Sequence, residues 1–420
     1  MAGVAGEAAA RVSDRAWLLA ICLSELGTML VFSSFSALLP ILKVEWGLTN
    51  TEAGLILAFY QVGYVGVVAV LATLTDYMPP RRIYLASAAW AALTSAAFAW
   101  WADGFLSALV LRTLVGLGLA GTYMPGMRMV AERFAHGGRG FAMGCYIGTF
   151  TLGTSISLLI TGVANTLWGW RVAFGVTALG PAAAVLIGYW ALPAETPRPA
   201  APASPSRGGG LGPVLRNTSA LRLITAYVAH TFELMGMRLW IAPFFTASLM
   251  AAGAGLAEAT QRGALAASAV LAIGALPHPF SGLIVDRFGR ARPISIVMLL
   301  SAACSLTIGW GLSWPFTALV ALGLLYGILV TAESAMVSTG IADVAEPAYL
   351  GRTMALQSSA GFAAGALGPA VFGAMLDWAP ALGASPDSRW LWAFGVLGLV
   401  ALAGPLAVGF KEFSPRKSGV

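Results

Sequence analysis

The chain has 420 residues, of which 58% are hydrophobic and only 10% charged, and 24 Lys and Arg against 18 Asp and Glu leave a net charge of +6. Soluble domains carry roughly 25% charged residues, and no soluble fold of this length has enough interior to hide so much apolar surface. A soluble enzyme, a nucleic-acid binder and a disordered chain are excluded together, and lipid is the solvent for most of the molecule.

In chain order, twelve apolar runs approach or exceed the length of a membrane-spanning helix, which needs about 20 residues. They lie near 16–42, 53–74, 82–101, 105–128, 140–163, 171–193, 220–249, 262–285, 293–312, 315–341, 353–376 and 390–410. The alternating segments of about 10 residues that mark a β-barrel do not occur. Glu7, Arg11, Asp14 and Arg15 precede a long first run, which predicts an uncleaved membrane helix and not a signal peptide. Glu195–Ser219, prominent in Pro, Ser and Gly, reads as a linker. The expected organisation is therefore an N-terminal six-helix bundle (1–193), a cytoplasmic linker (194–219) and a C-terminal six-helix bundle (220–420). Cys22, Cys145 and Cys304 all sit in apolar runs; they provide neither a disulfide framework nor zinc spacing and read as small apolar filler.

Basic residues set the orientation. Arg11, Arg15, Arg81, Arg82, Arg133, Arg139, Arg198, Arg207, Arg216, Arg222, Arg287, Arg290, Arg292, Arg352, Lys411, Arg416 and Lys417 fall on the side of the termini, against Lys43, Arg171, Arg262 and Arg389 on the other. Positive residues stay cytoplasmic, so both termini are expected inside and the membrane is expected to be the cytoplasmic (inner) one. Trp100, Trp101, Trp168, Trp170, Trp310, Trp314, Trp378, Trp390 and Trp392 fall at the opposite, outer ends of the runs, where amphipathic rings favour the interface.

The two halves repeat one unit. Asp76 matches Asp286, Arg139-Gly-Phe-Ala-Met143 matches Arg352-Thr-Met-Ala-Leu356, Trp170-Arg-Val-Ala-Phe-Gly-Val176 matches Trp390-Leu-Trp-Ala-Phe-Gly-Val396, and Glu25-Leu-Gly-Thr-Met29 matches Glu233-Leu-Met-Gly-Met237. Halves with an even number of spans share one orientation, and a substrate site is expected near the midplane between them. Gly282-Leu-Ile-Val-Asp286-Arg287-Phe-Gly289-Arg290-Ala-Arg292 resembles the loop signature of the major facilitator superfamily. The first-half copy keeps Asp76, Arg81 and Arg82 but loses both glycines, and Arg112-Thr-Leu-Val-Gly116-Leu-Gly118 resembles that superfamily's fourth-helix motif. The resemblance implies an all-α membrane protein with twelve transmembrane helices in two pseudo-symmetric bundles, a rocking-bundle carrier whose first and seventh helices face a central cavity. An Asp followed by Arg residues in a tight cytoplasmic loop also suits a brace that breaks when the halves rock. The plainer reading is that Arg287, Arg290 and Arg292 only mark the cytoplasmic side.

An ionised side chain at the bilayer centre costs about 2.5–3.5 kcal/mol on insertion scales, so such groups tend to have a task. The candidates are Glu25, Arg112, His230, Glu233, Arg238 and Glu333. Glu25 lies about 13 Å into the first run and Glu233 about 20 Å into the seventh, both central and equivalent under the repeat. A carboxyl in a dry cavity can bind and release a proton; the competing reading is an ion pair that holds helices together. His230 and Glu233 share a helix face, while Arg238 lies on another, and Gly236 and Pro243 are expected to loosen the helix there. Arg112 is a permanent cation suited to a carboxylate partner, an anionic substrate or, by resemblance, a coupling role. Tyr60, Gln61, Tyr64, Tyr123 and Tyr326 are candidate cavity-lining groups, each with packing as the plain alternative. Arg128 and Glu132 form a helix-surface pair in reach of Asp76.

The expectation is a secondary transporter and not an enzyme, because scattered His136, His230 and His278 with isolated carboxylates make no catalytic cluster. Without a phosphate-binding loop, no ATP hydrolysis powers it. No metal or cofactor is expected; the partners are protons, a small-molecule substrate and lipid, with no nucleic acid, and a monomer suffices. Arg112 and Arg238 beside Glu25 and Glu233 favour proton-coupled uptake of a small organic anion. Proton-driven efflux of drugs or metabolites is the alternative, disfavoured because the Gly-Pro pair of exporters is absent from the fifth run and stands instead at Gly368-Pro369 in the eleventh.

Overall fold

The computed structural model describes residues 13–75, 77–135, 137–192 and 211–410, and at 69, 72, 278, 279, 282, 283 and 286 the backbone alone. Asp76, His136 and most of the linker lie outside the described residues. Among the described residues, eleven long helical segments follow the apolar runs closely. The first combines α1 (Asp14–Met29) and α2 (Ser34–Glu45); α3 (Asn50–Leu74), α4 (Pro80–Trp101), α5 (Phe105–Arg133), α6 (Arg139–Trp168) and α7 (Trp170–Ala191) complete the first half. After the short α8 (Gly212–Arg216) come α9 (Thr218–Ala251), α10 (Leu256–Ile273) and α11 (His278–Phe288). Next are α12 (Ala291–Ile308), α13 (Phe316–Val344), α14 (Leu350–Trp378), and α15 (Arg389–Ala401) with α16 (Ala403–Val408). Among the described residues, 11 segments are long and apolar enough to cross a membrane. The eighth apolar run is the exception to the expected twelve. It is divided into α10 and α11, because Pro277 and Pro279 bring no N–H to continue the ladder.

The first run is also broken, between Met29 and Ser34, and side chains take up the freed carbonyls. Ser157 Oγ donates to Leu30 O at 2.5 Å, Arg112 Nη1 to Val31 O at 2.8 Å and Arg112 Nη2 to Phe32 O at 2.8 Å. Unpaired backbone groups inside a membrane cost several kcal/mol each, so these bonds permit the break. The seventh run behaves differently from expectation: α9 is continuous through Gly236 and Pro243. Pro243 lacks the N–H that would bond to Leu239 O, and Ser36 Oγ of α2 donates to that carbonyl at 2.5 Å. What was expected to loosen one helix instead joins the two halves.

The halves meet where α3 packs on α14, α6 on α10, and α2 on α9 and α10. Asp377 accepts from Asn50 N (3.2 Å), Asn50 Nδ2 (2.6 Å), Thr51 N (2.6 Å) and Thr51 Oγ1 (2.7 Å). Lys43 Nζ donates to Asn50 Oδ1. A β-carbon on Gly373 would lie 2.2 Å from Asn50 O, and one on Gly54 2.6 Å from Pro369 O, so glycine at both is what lets α3 and α14 touch here. Ser155 Oγ of α6 donates to Ser268 O at 2.8 Å. The molecule is therefore sealed at this end. At the other end, Arg133 pairs with Asp14 at 2.9 Å inside the first half, and Arg290 pairs with Asp343 inside the second.

Candidate functional site

Between the halves lies a cavity of about 360 Å³, lined by α1, α3, α5 and α6 on one side and α9, α13 and α14 on the other. Its walls are largely aromatic and apolar. Phe32 meets Tyr60 edge-on at 5.1 Å and Phe150 at 5.6 Å; Tyr64 and Phe362 face each other across the halves at 5.1 Å. Gln61 Nε2 donates to Met235 Sδ at 3.2 Å, a further contact between halves.

Of the residues singled out in the sequence, Tyr60, Gln61, Tyr64, Tyr123, His230 and Arg238 line this cavity. Arg238 is 5% exposed, lies 5.9 Å from the Phe150 ring centroid, and has no carboxylate in ion-pair contact among the described residues. It is a fixed cation turned toward an apolar chamber. Arg112 is placed elsewhere: both outer nitrogens hold backbone carbonyls at the break in the first run, and its guanidinium lies 4.4 Å from the Tyr60 ring centroid. It supports the cavity from behind.

The three glutamates are fully buried and stand behind the cavity wall. Glu25 Oε2 accepts from Tyr146 OH at 2.8 Å and Thr28 Oγ1 at 3.3 Å, while Oε1 has no hydrogen-bond partner among the described residues. Tyr123, on the cavity wall, stacks on Tyr146 at 5.9 Å. Glu233 Oε1 accepts from Tyr326 OH at 2.9 Å, so Tyr326 is a partner of the carboxylate and not a lining group. Ser301 Oγ contacts both Glu233 Oε2, at 3.1 Å, and Glu333 Oε1. His230 does not pair with Glu233, its neighbour on the helix. Its Nδ1 lies 2.9 Å from Glu333 Oε2 on α13, and its Nε2 lies 2.5 Å from Ser334 Oγ, a cavity-lining group.

The loop-signature residues spread along one end. Gly289 adopts φ +78°, a left-handed value that favours glycine, and closes α11. Arg290 pairs with Asp343 at the end of α13, which ties two helices of the second half together. Arg287 is exposed, its guanidinium 5.3 Å from the Phe288 ring. Arg81 Nη2 donates to Tyr189 O at 2.7 Å across α4 and α7, whereas Arg82 is exposed. Arg128 pairs with Glu132 at 2.8 Å and donates to Thr75 Oγ1 at 2.6 Å. Asp76 and the side-chain surroundings of Gly282 and Asp286 lie outside the described part.

Sequence reasoning passed over Phe150, Met235, Phe362, Tyr146, Ser301 and Ser334. The aromatic and sulfur side chains look like any other apolar residue of their runs. Ser334, adjacent to Glu333, and Ser301, a hydroxyl deep in the ninth run, carried a weak polar signal.

A family model described as Major Facilitator Superfamily matches residues 21–277 and 227–419. A probable 4-methylmuconolactone transporter of Cupriavidus pinatubonensis is 32% identical over 154 residues, 33% of each chain. A probable sulfoacetate transporter of Cupriavidus necator is 26% identical over 151 residues, 35% of each chain. The matched stretch thus spans about a third of the length of these curated relatives. Among solved structures, the nucleoside transporter NupG superposes with a TM-score of 0.74 at 14% identity, covering 93% of this chain and 98% of that one. An inward-facing, occupied bacterial homologue of the human lysosomal transporter Spinster gives 0.71 at 15%, covering 94% and 95%. The family model spans nearly all of the described residues: the chain belongs to the Major Facilitator Superfamily, and it is a multi-pass membrane protein of that fold.

Proposed function

We propose that the protein is a proton-coupled carrier that takes up a small organic anion with an apolar, ring-sized body by rocking-bundle alternating access. The observation that carries this reading is Arg238: a buried guanidinium with no carboxylate partner among the described residues, on the wall of an aromatic cavity between the halves. A lone cation in low dielectric demands an anion, and the carboxylate of a substrate supplies it while its body packs on Phe150, Met235 and Phe362. The buried glutamates support proton coupling. Probable sulfoacetate transport by one relative agrees with an anionic substrate.

The basic residues on the terminal side support cytoplasmic termini, with α10 and α11 counted together as the eighth of twelve spans. The bundles would run over 1–193 and 220–420, joined by the linker 194–219, as a monomer in the cytoplasmic membrane. The sealed Asn50–Asp377 end would then lie outside. The test is proton flux in proteoliposomes with a trapped pH dye, challenged one at a time with ring-bearing carboxylates and with neutral and cationic compounds. Protons moving with a carboxylate support the reading. Protons moving only with cationic or lipophilic compounds would make the protein an exporter.

A further inference from the structure

We infer that Glu233 and Glu333 form a second, proton-binding site outside the substrate cavity, holding one proton between them through Ser301 and reached from the cavity through Ser334 and His230. It rests on the reading of a proton-coupled carrier and names where the coupled proton sits.

The argument is a count of hydrogens. Ser301 has a single O–H, yet its Oγ, which also lies 3.3 Å from Met298 O in its own turn, is in hydrogen-bond contact with Glu233 Oε2 at 3.1 Å and with Glu333 Oε1. A hydroxyl donates to one of them only. The other oxygen would face a lone pair at hydrogen-bond distance unless it carries a hydrogen of its own and donates to Ser301 Oγ. The remaining oxygens are occupied: Glu233 Oε1 accepts from Tyr326 OH, and Glu333 Oε2 meets His230 Nδ1. Both carboxyls are fully buried, and two adjacent ionised carboxylates there repel, which again favours one proton shared by the pair. The titratable groups that face the pair are His230 on α9, Tyr326 on α13 and Cys304 on α12 beside Glu233, while Arg238 on α9 faces His230 and the Tyr227 ring lies 6.0 Å from the imidazole.

The contacts form one continuous line from the cavity inward: Ser334, His230, Glu333, Ser301, Glu233, Tyr326. A proton arriving at His230 Nε2 releases the one on Nδ1 to Glu333 Oε2. Glu333 then passes a proton from Oε1 to Ser301 Oγ as the serine gives its own to Glu233 Oε2. One proton enters at His230 Nε2 and the pair goes from the one proton it holds at rest to two, with no other bond changed. The line joins α9, α12 and α13, so a shift of α9 against α13 when Arg238 takes or releases an anion lengthens the His230–Glu333 contact and interrupts the route.

The test needs no substrate at first. Infrared spectra of the purified full-length protein at neutral pH should show a buried protonated-carboxyl band. The band should be lost in Glu233→Gln and in Glu333→Gln and shifted to higher frequency in Ser301→Ala, with Ser301→Thr restoring it. His230→Asn should leave its amplitude unchanged and slow its response to a pH jump at least tenfold. In proteoliposomes with benzoate as probe, Ser301→Ala should lose pH-gradient-driven uptake while keeping benzoate counterflow. A band that persists in both glutamine variants, or a Ser301→Ala protein unchanged in band and coupling, overturns the proposal. A band that behaves as expected in a protein that moves no carboxylate upholds the shared proton and removes the substrate reading instead.

Discussion

The guanidinium of Arg238 lies 5.9 Å from the centroid of the Phe150 ring, and the two residues come from opposite halves of the chain. The contact spans the cavity, so an anion seated on Arg238 with its body on Phe150 touches both bundles at once. Its occupant therefore stabilises the arrangement in which the halves are close, which is what a carrier needs of its substrate.

The ring wall should be measurable apart from the charge. Phe150→Ala is expected to weaken binding of benzoate by about two- to twelvefold, the ~0.5–1.5 kcal/mol of an aromatic contact, and to leave acetate unaffected. Equilibrium binding of both acids to the purified variant checks this; equal losses for the two would show that Phe150 does not contact the ring.

Arg112 should behave as a structural residue. Arg112→Lys has no planar fork with which to hold Val31 O and Phe32 O together. The loss of charge-assisted bonds is expected to cost about 2–3 kcal/mol, seen as a fall of several degrees in the melting temperature in detergent. Anion affinity of the folded fraction should change less than twofold.

The sealed end depends on Asp377. Asp377→Ala removes the acceptor of four hydrogen bonds from Asn50 and Thr51, and it is expected to raise the population open at that end about tenfold, from a loss of ~1.4 kcal/mol in the closed state. Spin-label distances between the outer ends of α3 and α14 should report the longer component; an unchanged distribution would mean that the glycine contacts alone hold the seal.

Gly373 tests those contacts directly. A β-carbon there would lie 2.2 Å from Asn50 O, a backbone atom with nowhere to go. Gly373→Leu is expected to cut transport more than tenfold by preventing closure, while anion binding to the purified protein survives.

Much of this arrangement is legible in the sequence, because lipid imposes a simple rule on composition. The runs mark nearly every helix, including the long ones through Arg139–Trp168 and Leu350–Trp378, and Arg238 stands out as a charge where charges are costly. What the sequence conceals is set by tertiary partners. The break at 30–33 is invisible in an unbroken apolar run, because its carbonyls are satisfied from elsewhere, by Ser157 and Arg112. Pro243 points to a loosened helix, but the carbonyl it frees is taken by Ser36 and α9 stays whole. Helical spacing pairs His230 with Glu233, whereas the imidazole turns to Glu333 on a different helix.

The most direct measurement is equilibrium binding of ring-bearing monocarboxylates and their matching carboxamides to the wild-type protein and to Arg238→Gln. The structure predicts that wild type binds a carboxylate and not its amide. It also predicts that Arg238→Gln, with an unchanged melting temperature, loses about tenfold or more of that affinity, the ~1.5–3 kcal/mol of a charge-assisted hydrogen bond. Carboxylate binding undiminished in Arg238→Gln, or amides and amidines bound as well as acids by wild type, would contradict it.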